Sequence, residues 1–359
     1  MFRAISFDHE SRQIKDFIDL PKTLYSKKYM TANETIERQL LLGKHPLSKY
    51  FKLKKHVVYD EADNPVARFI LTEYKNDENL YFGFFESIDD DGVAKLVFDT
   101  VLAYAKKHKY KKIVGPLNAS FWLGYRLKID NFNKRSYFLE PYNKPYYLRL
   151  FQDNGYKVSD RYTSDFFSRN PIHESKRNKT KFVKNYAKFS SAGYTINNVS
   201  PATFNKSLRE IYEMFSELYS NFPTYKPIDW VDFKKLFDNL KPLLDFKLVK
   251  IAYYDNRPVG FVVAFPNHYN LISNLTPINK LRIALKRIRS KSHVIMYMGV
   301  RRGHEGLGRA MMKPIIKQMY LQVSSVIGAL IHEGTPTSEY MKEAVNDKYH
   351  YALLERIAE

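Results

Sequence analysis

Residues 293–308 read HVIMYMGVRRGHEGLG, and the chain continues from 307 as LGRAMMKPIIKQMY. The first eight residues are apolar, aromatic and β-branched, which predicts a strand over 293–300. From 307 the apolar residues recur at the helical period, which predicts a helix over 307–323. Pro314 falls inside that helix and predicts either a kink or a late start. Glycine is scarce, 14 in 359, yet Gly299, Gly303, Gly306 and Gly308 fall within ten residues where strand turns into helix. Around Gly306 and Gly308 the backbone N–H groups face outward with no side chains in the way, a turn suited to phosphate. Arg301, Arg302 and Arg309 surround it. A dinucleotide fold would need Gly-x-Gly-x-x-Gly and a P-loop would need Gly-Lys-Ser/Thr. Neither is present. His304 and Glu305, inside the turn, are expected to face solvent.

Outward from this stretch, VIGALIH (326–332) reads as a further strand, and KLVKIAY (247–253) and PVGFVVAF (258–265) flank the turn signal 255–257. The N-terminal half repeats the design. VARFILTE (66–73) and LYFGFFESI (80–88) predict paired strands. Ala94, Val97, Phe98, Val101 and Ala105 predict a helix over 91–107, and an apolar run follows over 112–117. Two α/β units, each a mixed sheet with flanking helices, are thus expected in tandem. The boundaries are placed at 1–168, at a basic connecting helix over 169–193, and at 194–359. Positions 169–188 hold seven Lys or Arg against the single Glu174. A further helix is predicted over 200–219. Residues 279–291, NKLRIALKRIRSK, read as an amphipathic helix, either on an anionic membrane face or on the surface of the fold.

The 359 residues carry 58 Lys and Arg against 38 Asp and Glu, a net +20 that favours phosphate-rich or otherwise anionic partners. With 44% hydrophobic and 15% aromatic residues the composition is that of a globular chain and excludes a disordered or collagen-like one. No cysteine is present, which removes disulfides, thiolate metal sites and a cysteine nucleophile and is at ease with a reducing compartment. No apolar run reaches the length of a transmembrane segment, so the expected location is cytoplasmic. No metal site is expected.

The turn at 299–308 resembles that of the GNAT (N-acetyltransferase) superfamily, in which a strand runs into Arg/Gln-x-x-Gly-x-Gly/Ala. There the loop and following helix bind the pyrophosphate of acyl-CoA. Val300, Gly306 and Gly308 match, while Gly303 stands where the family has Arg or Gln, and Arg301 or Arg302 would supply the charge. The N-terminal half is similar to bacterial GNAT-like proteins with two tandem domains, through YFGFFESIDD (81–90), GPLNAS (115–120) and PYNKPYYLRLFQDNGY (141–156). YALLER (351–356) resembles their closing strand. The resemblance implies acetyl-CoA or another acyl-CoA bound at Val300, Arg301, Arg302, Gly303, Gly306, Gly308 and Arg309. In the first domain Asp89, Asp90 and Asp91 would repel a pyrophosphate, so that domain is expected without cofactor.

The acceptor, a small-molecule or peptide amine, is expected beside Asn118, Tyr142, Asn143, Tyr146 and Tyr147. Acyl transfer to an amine needs a base and an acid. By family analogy Glu333 is the first choice of base, His332 the second, and Tyr340 the acid. Two other readings stand beside the acyltransferase. One is a Fem-type aminoacyl transferase drawing on charged tRNA. The other is a non-enzymatic protein binding nucleic acid through its basic surface.

Overall fold

The computed structural model describes residues 1–168, 176–273, 275–319, 324–340 and 342–358. The chain forms two compact units. The first comprises residues 1–161, 272–274 and 350–359, and the second residues 162–271 and 275–349.

In chain order the first unit contains β1 (Arg3–Phe7), α1 (Ser11–Leu24), α2 (Glu34–Leu41), β2 (Phe51–Tyr59), β3 (Pro65–Tyr74), β4 (Asn79–Ser87) and α3 (Asp91–Lys107). β5 (Lys112–Gly115), β6 (Leu127–Lys128) and α4 (Tyr147–Asp153) follow, before β7 (Lys157–Ser168). The second unit adds α5 (Lys176–Ser191), β8 (Thr195–Asn198), α6 (Phe204–Leu218), α7 (Trp230–Asp238), β9 (Val249–Tyr254) and β10 (Arg257–Pro266). It ends with α8 (Pro277–Arg289), β11 (Ser292–Val300), α9 (Leu307–Met319) and β12 (Ser325–His332), and β13 (Asp347–Ile357) closes the chain.

The two sheets share one plan. In the first unit the order is β1-β2-β3-β4-β5-β13, antiparallel except for the parallel pair β4/β5. In the second it is β8-β9-β10-β11-β12-β7, antiparallel except for β11/β12. The sixth strand of each sheet therefore comes from the other half of the sequence. β13 closes the first sheet through Leu354 opposite Gly115, and β7 closes the second through Phe167 opposite Val326. This exchange is why the division in space departs from the expected boundaries at 168 and 193. It also gives YALLER to the first unit.

Helix α3 spans the expected 91–107 and buries Val93, Ala94, Val97, Phe98, Val101 and Ala105. The first core is largely aromatic: Phe82, Phe85, Phe98, Phe151 and Tyr156 meet with ring centroids 5.0–6.3 Å apart. Each such ring removed from water contributes about 1.5–3 kcal/mol. In the second unit α5 lays Phe182 and Phe189 into a core with Leu307, Met311, Ile315 and Val326. It is thus a structural layer over α9, rather than the free connector expected from its charge. Residues 169–175 of the basic stretch lie outside the described residues. Helix α9 starts at Leu307 and continues through Pro314; the expected end at 323 also lies outside them.

Candidate functional site

Strand β11 is paired along its whole length on one side, from His293 opposite Pro266 to Val300 opposite Gly260. On its other side, pairing with β12 stops at Ile295 opposite Gly328. The two parallel strands diverge there for local reasons. The register against β10 slips between Val263 and Ala264, so that β11 carries an extra residue at Met296. On β12 the register against β7 slips between Gly328 and Ile331. Leu330 there adopts φ 55°, and its N–H donates to Ser164 Oγ at 3.0 Å. Such bulges bend a strand away from its neighbour. Residues 296–300 are half-exposed although they lie in an interior strand. Their open edge is a row of backbone groups to which an extended ligand with amides can add.

The open edge runs into the glycine turn. Gly303 and Gly306 have φ of 86° and 91°, the left-handed region that favours glycine. The His304 N–H donates to the Arg301 carbonyl and the Leu307 N–H to the His304 carbonyl. The N–H groups of Gly306 and Gly308 are left without an acceptor among the described residues. The Gly303 N–H donates to the exposed carboxylate of Glu305 at 2.9 Å. That bond holds the Glu305 carboxyl below its ordinary range. Glu305 faces solvent, as expected, while its carboxylate accepts from the turn's own N–H.

Of the surrounding arginines, Arg301 is spent within the unit. Its Nε donates to Glu217 at 2.9 Å and a terminal nitrogen to the Pro258 carbonyl at 2.7 Å. Arg302 is exposed. Arg309 lies with its guanidinium 5.4 Å from the Tyr340 ring, and its Nε is buried without a hydrogen-bond partner among the described residues. His304 is tied to the Tyr194 hydroxyl at 2.8 Å.

Gly308 does more than the sequence suggested. A Cβ there would overlap the Tyr340 hydroxyl and stand 3.1 Å from ring atoms Cε2 and Cζ. Tyr340 thus sits on the first turn of α9, and burial raises its hydroxyl above the ordinary tyrosine range. His332 ends β12, half-buried, with Tyr162 at 5.0 Å and Phe222 at 5.5 Å between ring centroids. Glu333, one residue on, is exposed. The aromatic setting of His332 was not legible, because β7 and the turn after α6 supply it from far along the chain.

In the first unit the equivalent region is closed by the chain itself. The Leu117 N–H donates to the Phe82 carbonyl at 2.8 Å, and Asn118 Oδ1 accepts from the N–H of Phe84, the positive-φ residue of the β4 bulge, at 2.7 Å. A side chain at Gly83 would collide with the Leu117 carbonyl. The Ser87 N–H donates to the Tyr147 hydroxyl, and the Tyr146 hydroxyl donates to the Ser87 carbonyl. At the start of α3, Asp90 caps the Val93 N–H, while Arg149 bridges Asp89 and Asp91 at 2.6 Å each. Two of the three carboxylates expected to repel phosphate are therefore paired, and the third fills the helix N-terminus.

The residues expected to hold an acceptor have the same internal fate. Asn143 is buried with its side chain bonded to the Lys128 N–H and carbonyl. The Tyr142 hydroxyl donates to the Phe132 carbonyl, and its ring stacks on Tyr29 at 5.1 Å. Tyr147 joins a buried cluster in which its hydroxyl and that of Tyr25 both donate to Glu86 at 2.7 Å. Beside them Arg68 grips Glu37 through two nitrogens. Burial raises the Glu86 carboxyl above its ordinary range. These contacts hold the end of β4 in place. Among the described residues no group of three His, Asp or Glu could hold a metal, and no helix is long and apolar enough to cross a membrane.

No protein-family model matches the chain. Among curated proteins it is similar to Protein YghO of Escherichia coli K12, 25% identical over 195 residues. The match covers 54% of this chain and 49% of that protein, so it spans about half the length of the relative. Among solved structures it resembles a tandem GNAT protein from the clavulanic acid biosynthesis pathway, with TM-score 0.56 and 10% identity. That likeness covers 100% of this chain and 99% of the other. It also resembles a probable N-acyltransferase from Enterococcus faecalis V583 (TM-score 0.53, 11% identity, 100% and 73% covered). A third likeness is to the glucosamine N-acetyltransferase region of a fungal multi-domain β-N-acetylglucosaminidase (TM-score 0.55, 10% identity, 99% and 38% covered). The fold is that of two GNAT domains in tandem.

Proposed function

We propose that this tandem GNAT chain is an acyl-CoA-dependent acyltransferase whose donor binds in the second unit alone. The observation that carries the reading is the open edge of β11 from Met296 to Val300, leading straight into a glycine turn whose Gly306 and Gly308 N–H groups have no acceptor among the described residues. An acyl-CoA has the matching parts: an extended arm with two amides for the strand edge and a pyrophosphate for the turn. Gly306 and Gly308 would offer the N–H groups, and Arg302 and Arg309 the countercharge. Acetyl-CoA is the simplest such donor. The first unit offers neither part, since Leu117, Asn118 and Asp90 already occupy the equivalent positions.

When bound, the donor supplies a thioester carbon open to attack. The residues of the chain then handle two protons. Tyr340, like any tyrosine, is protonated at neutral pH, and burial raises its hydroxyl further, so it holds a proton to give to the departing thiolate. We assign the base to His332 before Glu333. The imidazole is half-buried at the end of β12, where it is shielded by Tyr162 and Phe222, whereas Glu333 is exposed. The acceptor is an amine, and the chain acts where a reducing medium suits its lack of cysteine.

Thiol release tests this directly, because the chain has no cysteine to contribute background. With acetyl-CoA and longer acyl-CoAs against a panel of amines, a thiol-reactive dye is expected to report CoA release that depends on both substrates. No release with any donor and acceptor would end the reading.

A further inference from the structure

Helix α8 carries a surface that neither the core nor the donor groove uses. It starts cleanly, with Thr276 capping the Asn279 N–H and Pro277 at its first position, and it runs thirteen residues. Ile283 is its one buried residue. Ile278, Leu281, Leu285 and Ile288 recur at spacings of three, four and three, so they form one stripe, and it lies opposite Ile283. They are 64%, 62%, 53% and 72% exposed, and Leu275 just before the helix is 52% exposed. The other exposed large hydrophobics among the described residues are spread singly along the chain. A contiguous aliphatic stripe on a surface helix is not what a surface facing only water shows.

The charge beside the stripe indicates what covers it. The helix holds Lys280, Arg282, Lys286, Arg287 and Arg289, with Lys291 just beyond and no acidic residue over 277–291. On the helical wheel Arg282 and Arg289 border the stripe, while Lys280 and Arg287 lie farther round. Aliphatic side chains on one face with a cationic margin fit the boundary between phospholipid head groups and acyl chains. Arginine and lysine stems lie along apolar surface while their charges stay with phosphate. A second copy of the chain fits poorly, since a two-fold contact through this face would set the same cations against each other. A nucleic acid would leave the aliphatic stripe without a role.

We propose that α8 is a membrane-docking helix that seats the protein peripherally on an anionic phospholipid surface. The proposal is independent of the acyltransfer reading, because a chain inactive with every acyl-CoA would still bind vesicles. The test is co-sedimentation of the full chain with vesicles of phosphatidylcholine and phosphatidylglycerol at 7:3, and with phosphatidylcholine alone. Partitioning is expected to be at least about tenfold stronger on the anionic vesicles. Leu281→Glu/Leu285→Glu should lower it by about tenfold or more. Arg282→Gln/Arg287→Gln/Arg289→Gln should abolish the preference for phosphatidylglycerol. Ile288→Glu, at the most exposed position, gives a single-site check with little risk to folding, and should weaken partitioning several-fold. Absence of wild-type binding at 1 mM lipid, about tenfold above the roughly 0.1 mM at which a single weak anchor is half-bound, would overturn the proposal. So would Ile288→Glu and the double variant binding as wild type does. A lipid-free dimer that the double variant splits would make the stripe a contact between copies and would equally overturn it.

Discussion

The hydroxyl of Tyr340 occupies the space that any side chain at position 308 would need: a Cβ built on Gly308 overlaps Oη and lies 3.1 Å from Cε2 and Cζ. One glycine thus serves both parts of the proposed site, a bare N–H for phosphate and a seat for the acid.

Gly308→Ala is therefore expected to displace the Tyr340 ring and to lower turnover more than donor affinity. Tyr340→Phe keeps the ring and removes its proton, so turnover should fall on the order of 100-fold while the melting temperature changes little. The two variants separate when the pH profile is recorded. Loss of the alkaline limb in Tyr340→Phe is expected, and an unchanged rate on an accepted amine would move the acid elsewhere.

Glu305 already places a carboxylate on the Gly303 N–H, within the turn proposed for the pyrophosphate, so its charge opposes an incoming one. Glu305→Gln removes the charge but keeps the shape. Without that charge beside the proposed phosphate site, acyl-CoA should bind roughly severalfold more tightly. Weaker binding in this variant, measured by calorimetry, would mean that Glu305 supports the turn instead of competing for it.

His56, on β2, stacks on Phe69 at 4.5 Å, and burial pushes its pKa down to about 4; His293, on β11, is pushed to about 4 for the same reason. Both are neutral when folded, whereas the unfolded chain protonates them near 6.5. Between pH 6.5 and 4 the unfolded state binds more protons, so this part of the stability is complete above 6.5 and is lost as pH falls. Each histidine contributes a loss of about 3 kcal/mol by pH 4. His56→Phe preserves the stack and should make the stability-against-pH curve shallower over that window. A curve parallel to wild type would refute the assignment.

Much of the fold was legible because its signals are local. The period of α3, the β3/β4 hairpin and the β9/β10 hairpin each lie within about twenty residues, and each formed as expected. The exchange of β7 and β13 was hidden, because nothing in a strand's own sequence says which distant edge it will pair. The site divided in the same way. Glycines at positive φ announce a turn, and Gly303 and Gly306 have that geometry. Side chains named for their chemistry alone have partners that their own stretch of sequence does not show. Arg301 is taken by Glu217 and Pro258, Asn118 by the β4 bulge, and Tyr147 by Glu86. A polar group beside a motif satisfies its nearest backbone or charge first, and that partner is usually remote in sequence.

The central claim is one acyl-CoA per chain, held by the glycine turn of the second unit. Calorimetric titration with acetyl-CoA tests it most directly, on wild type, Gly306→Asn and Gly306→Asp. At φ 91° both substitutions bear similar backbone strain, and only aspartate adds a negative charge beside the N–H groups. A stoichiometry of one is expected for wild type, with weakened binding for Gly306→Asn and none for Gly306→Asp. A stoichiometry of two, or equal affinity of the two variants, would contradict it.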